Sequence, residues 1–182
     1  MSGAGLGMIA VTLALVSVAC GGDGGGSSLG ASSVSGADTS VDDGVGAEAS
    51  PVEGEVIEDY LAAKEALYAA FDPPDTDDPG LLAYWDGEAL STGQDILSQL
   101  EAGGTSWVAT LETNPRVVSL TGDSATVEDC VLDHVQVVDT ATGEPMGEEQ
   151  ESLTHVESQL ERIDGTWKIV EEQELSEPCP PG

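Results

Sequence analysis

The sequence predicts an α+β domain with its helices segregated onto one face of an antiparallel sheet. Two observations predict it. Apolar residues recur at helical spacing as far as about Leu100, and from Ser106 the period changes to two. Gly122-Asp123, Thr142-Gly143 and Asp164-Gly165 then punctuate a series of runs rich in Val, Ile, Leu and Thr, which reads as a meander of hairpins.

The elements follow in order. Val56, Tyr60, Ala63, Leu67 and Phe71 recur at helical spacing, with Leu61 and Tyr68 widening the stripe, so Val52 to Phe71 is expected to be one helix. Pro73-Pro74 ends it. Asp78-Pro79 offers an N-cap and a first-turn proline for a short helix carrying Leu81, Leu82, Tyr84 and Trp85. Ser91 or Thr92 is expected to cap a third helix through Leu100, and Gly103-Gly104 stops it. Strands are expected over Trp107–Thr113, Arg116–Leu120, Ala125–Asp139, about Glu149–Ile163 and Thr166–Gln173, with Trp167 and Ile169 turned inward.

The chain ahead of this domain has a different character. Met8 to Ala19 is an apolar run whose only polar members are Thr12 and Ser17. It suits a signal-peptide core and is shorter than the roughly 20 residues of a membrane-spanning helix. Leu15-Val16-Ser17-Val18-Ala19-Cys20 then leads into a Gly/Ser tract. This resembles the lipobox of bacterial lipoproteins, which implies cleavage after residue 19 and lipid on Cys20. Ordinary secretion is the second reading, because Ser17-Val18-Ala19 also offers small residues to a signal peptidase. Residues 21–50 hold nine Gly, seven Ser and four Ala, too little apolar surface to order a segment. The organisation expected is a signal peptide over 1–19, an anchor and acidic linker over 20–51, and one α+β domain over 52–182. The chain is then extracytoplasmic and tethered to the cell membrane.

Cysteine counting fits that address. Cys20, Cys130 and Cys179 make an odd set. Lipidation of Cys20 leaves Cys130 and Cys179 as one pair, and an oxidising compartment lets them join. Two buried free thiols are the alternative.

Charge limits the partners. Among 182 residues stand 35 acids against four bases, Lys64, Arg116, Arg162 and Lys168. Such a field repels nucleic acid and anionic membrane surfaces, so no nucleic acid is expected as a partner and the membrane is met through the lipid on Cys20. Asp75-Thr76-Asp77-Asp78-Pro79-Gly80, with Asp86 beyond, reads as a turn plus a helix cap and not as a calcium loop. A proline takes a ligand position there, and the bidentate Glu is missing. No metal and no cofactor is expected.

The order of helices, then long hairpins, then Asp164-Gly165-Thr166-Trp167-Lys168-Ile169-Val170 resembles the cone fold of the nuclear-transport-factor-2-like superfamily, over about residues 53–175. The resemblance implies a long helix lying across a strongly curved sheet, a pocket between them, and a homodimer through the sheet. The superfamily includes ketosteroid isomerases, dehydratases and non-enzymatic binding modules, so the fold alone does not give function. For a pocket base or hydrogen-bond donor the candidates are Tyr60, Tyr68, Tyr84, Asp133, His134 and His155. Asp133 and His134 point to opposite faces of their strand. If Cys130 and Leu132 face inward, His134 follows them, and His155 meets it when the hairpin is centred near Glu144. The reading this favours is a lipid-anchored binding or accessory module without catalysis, with a small ligand or an envelope protein as partner. The alternative is an isomerase- or dehydratase-type enzyme using His134, His155 and Tyr60.

Overall fold

The computed structural model describes residues 50–180; the expected signal segment, Cys20 and nearly all of the linker lie outside them. No helix among the described residues is long and apolar enough to cross a membrane.

Helix α1 spans Pro51–Ala69. Ser50 and Glu53 close a reciprocal capping box at its start, and Pro51 occupies the first turn. Helix α2 (Pro79–Tyr84) is capped by Asp78, whose carboxylate accepts from the Leu81 amide at 2.9 Å. Helix α3 begins earlier than the sequence suggests. It spans Gly87–Gly103 and is capped by Asp86, not by Ser91 or Thr92. The cause is tertiary: the Asp86 amide donates to the Ile169 carbonyl at 3.0 Å, fixing the helix start against the last strand. Gly87 has φ 58°, and a Cβ there would stand 3.0 Å from the Val170 carbonyl oxygen. Only glycine combines that backbone with that approach.

Five strands form one antiparallel sheet: β1 (Thr105–Glu112), β2 (Arg116–Thr121), β3 (Ser124–Asp139), β4 (Gln150–Ile163) and β5 (Thr166–Glu174). The strand boundaries fall within two residues of those expected. The simple meander does not hold at its start, because β1 does not pair with β2. The sheet runs β1-β3-β4-β5, and β2 also pairs with β3. Strand β3 is long enough to take both neighbours on one edge, β1 along Leu132–Asp139 and β2 along Ser124–Glu128. Thr113-Asn114-Pro115 breaks the edge between them, since proline has no amide to donate. Register shifts at Val117/Ser119 and at Gln159/Leu160 bend the sheet around the helices. In the Asp164-Gly165 turn both residues have positive φ, 53° and 92°, as a tight two-residue hairpin requires.

The core lies between α1, α2, α3 and the inner face of the sheet. Val56, Tyr60 and Ala63 of α1 meet Leu81, Trp85 and Leu97, and below them Ala125, Val127, Leu160, Trp167 and Ile169. Trp167 and Ile169 are both inward and almost fully buried. Trp85 donates from Nε1 to the Ala63 carbonyl at 2.8 Å, so α1 and α2 are locked without an unpaired indole.

Beyond β5 the chain crosses the outer face of the sheet. The Leu175 amide donates to the His155 carbonyl at 2.8 Å, and His155 Nδ1 donates to the Glu177 carbonyl at 3.1 Å. Cys179 is bonded to Cys130, with Cα atoms 5.7 Å apart. Because Cys130 and His155 are register partners on β3 and β4, the tail is fastened across both strands.

Candidate functional site

The histidines do not form a pocket pair. Asp129 and Asp133 of β3 bond to tyrosines of α1, which fixes the odd-numbered residues of this stretch inward. Cys130, Leu132 and His134 therefore share the outer face, and the conditional expectation that they line the pocket is corrected. His155 is on that outer face too, opposite Cys130, whereas His134 stands opposite Glu151. The hairpin is centred about two residues before Glu144, so the two rings lie four residue positions apart, roughly 13 Å along the strands. His134 sits 3.6 Å from Glu151 and 3.7 Å from Glu149, and His155 lies 3.6 Å from Glu128. These are surface pairings under or beside the tail. Tyr60 is inward and buried, on the other side of the sheet from both histidines.

The inner face carries a different polar set. Tyr60, Lys64 and Tyr68 occur at four-residue intervals and form one stripe along α1. Eight helical residues advance about 12 Å. The four residues from Asp129 to Asp133 advance roughly 13 Å along β3. The two rises match, so each tyrosine meets one aspartate: Tyr60 donates to Asp129 and Tyr68 to Asp133, both at 3.0 Å. Between them Lys64 pairs with Glu172 of β5, and the same Glu172 oxygen accepts from the Ser158 hydroxyl at 2.6 Å. Lys64 is 4% exposed and lies 5.4 Å from the Tyr60 ring centre and 5.7 Å from that of Trp85.

Asp129 also closes the break in the sheet edge. Its second oxygen accepts from the Asn114 amide at 2.6 Å, where β1 has ended and β2 has not begun. This carboxylate is thus satisfied by two protein donors. Burial pushes it above the usual carboxylate range, against the opposing pull of the Asn114 amide and the Tyr60 hydroxyl. Burial, followed by the Asp129 and Glu172 charges, holds the Tyr60 phenol well above its ordinary value of 10.0. Burial and Asp133 do the same to Tyr68.

All three shifts are upward on folding, so each group contributes stability that is complete below its unfolded pKa and is lost as pH rises through its folded one. For Asp129 the loss begins above the ordinary carboxylate value of 3.8. Asp129→Asn is therefore expected to flatten the fall in stability between acid and neutral pH, read by urea unfolding at several pH values. An unchanged slope would place the titrating group elsewhere. Absorbance titration of the native chain should show Tyr60 and Tyr68 still protonated past pH 10.0.

Beside this network the helices stand off the sheet. A cavity of about 200 Å³ is lined by Tyr68, Phe71, Trp107, Asp133, Lys64 and Glu172 together with Leu67 and valines of β3 and β4. A second space of about 420 Å³ continues from it toward α3 and shares Leu67, Thr154, Val156 and Glu172. The two make one inner cleft. At its aromatic end Phe71 packs on Trp107 with ring centres 5.0 Å apart and on Tyr68 at 5.7 Å. Residue-type reasoning named Tyr60, Tyr68 and Asp133 among its candidates but missed Asp129, Lys64 and Glu172. The matched spacing of Tyr60/Tyr68 and Asp129/Asp133 was the available signal. Asp75 and Asp78 hold a turn and a helix cap, as their spacing suggested, and Asp86 caps α3.

The intermembrane space region of the chloroplast protein ARC6 has the same fold. It is 19% identical, covers 69% of this chain and 97% of that one, and superposes with a TM-score of 0.57. A ketosteroid isomerase-like protein from Erwinia carotovora atroseptica aligns at 13% identity over 70% of this chain and 99% of that one, with a TM-score of 0.46. A nuclear-transport-factor-2-like superfamily protein from Salmonella enterica aligns at 15% identity over 71% and 95%, with a TM-score of 0.47. No protein-family model matches the chain, and no curated protein matches its sequence.

Proposed function

We propose that this chain is a lipid-anchored, extracytoplasmic binding module that holds a small molecule in the inner cleft. The observation that carries the reading is the cleft itself: a concave, largely apolar space with a few convergent polar groups on rigid elements. The alternative enzyme reading loses its acid/base pair, because His134 and His155 lie on the outer face. Two copies would pair through that outer face beside His134, where Val108 and Leu153 are exposed, and sedimentation of the full chain reads the resulting mass.

Native mass spectrometry of the purified full chain tests the binding reading. A small molecule is expected to co-purify and to be lost from Thr154→Trp, which fills the cleft where its two parts join. Retention by that variant would place the ligand outside the cleft. The anchor has its own test. Cys20→Ser is expected to move the protein from the membrane to the soluble fraction, and fatty acid still incorporated into the variant would overturn lipidation at Cys20.

A further inference from the structure

We infer that the ligand of the inner cleft is a monocationic organic amine with a small apolar body. The inference rests on the binding reading above and adds the ligand's chemical class. The part of the cleft beneath α1 is walled by Tyr68, Phe71 and Trp107. Aromatic faces attract cations through their quadrupoles, most strongly where water is excluded. The charges around this part are two carboxylates, Asp133 and Glu172, and one ammonium, Lys64. Lys64 is already committed to Glu172, and its ammonium lies over the Tyr60 and Trp85 rings. Asp133 is left with no cation among the described residues. One of its oxygens accepts from Tyr68, and the other has no side-chain donor among them.

A half-buried carboxylate in an apolar surround is costly unless a donor and a counter-charge reach it. An ammonium group on a ligand supplies both, as a charge-assisted hydrogen bond to Asp133 beside three aromatic rings. An anionic ligand would meet Asp133 and Glu172 with no free cation. Size limits the remainder. A cavity of about 150 Å³ holds a benzene ring. The 200 Å³ here therefore suits one ring, or a branched chain of similar bulk, with its body against Leu67, Val131 and Val156.

Titration of the full chain with phenethylamine, phenethyl alcohol and phenylacetate tests this. Salt near 1 M screens the acidic surface to about 3 Å and suppresses non-specific binding of the amine. Phenethylamine is expected to bind about tenfold tighter than the alcohol, and phenylacetate not at all. Asp133→Asn keeps an acceptor for Tyr68 and should erase the tenfold preference for amine over alcohol. Thr154→Trp should weaken both. Alcohol binding equal to amine binding, or no binding of any probe, overturns the ligand class and leaves the cleft reading to the co-purification test. Amine binding indifferent to Thr154→Trp but lost on Asp133→Asn confines the amine to the aromatic end and supports the class. Indifference to both variants overturns the class and places amine binding outside the cleft.

Discussion

Glu172→Ala is expected to destabilise the protein by about 3 kcal/mol, the low end for removing one partner of a buried ion pair. Lys64 has only 5% of its side chain exposed, and Glu172 is its counter-charge. The change leaves the ammonium in an apolar surround and takes away the acceptor of the Ser158 hydroxyl. Lys64→Met is expected to cost less, because Glu172 is 23% exposed and keeps access to water. The double variant should be more stable than Glu172→Ala alone, since no unpaired ammonium remains. Urea unfolding of the four proteins gives the cycle. A loss below about 1 kcal/mol for Glu172→Ala, the size of a surface pair, would mean that Lys64 reaches solvent.

Breaking the disulfide should have a comparable effect. Cys130 and Cys179 are 49 positions apart, and the chain-entropy estimate for a loop of that length is about 4 kcal/mol, with roughly 2–4 kcal/mol realised in practice. Cys130→Ser and reducing agent should lower stability equally and not additively. They should also release the tail, because His155–Glu177 and Leu175–His155 are its other fastenings within the described residues. Thiol titration of denatured, unreduced Cys20→Ser protein should find no free thiol. Two per chain would contradict the bond.

The fold was legible where local chemistry and tertiary packing agree. The α1 stripe, the Asp-Gly turn and the alternation of Trp167 and Ile169 each carry their own signal. What failed depends on distant partners. The start of α3 is set by a bond from Asp86 to Ile169, eighty-three positions away, and Ser91 and Thr92 offered an equally good local cap. The placement of β1 depends on the length of β3, which no turn signal reports. The facing of β3 was ambiguous because apolar residues occur at both parities, Val127 and Val131 on one and Cys130 and Leu132 on the other. Tyr60 and Tyr68 decide it by drawing Asp129 and Asp133 inward. The candidate site moved with that choice: the histidines went outward and the aspartates became the inner polar groups.

A crystal structure of the protein with its co-purified molecule decides whether the inner cleft is a ligand site. Density is expected between Phe71, Trp107 and Asp133, with the molecule's polar group within hydrogen-bond distance of the Asp133 carboxylate. Ordered water alone in the cleft, with the molecule seated on the outer face beside His134 or the tail, would contradict it.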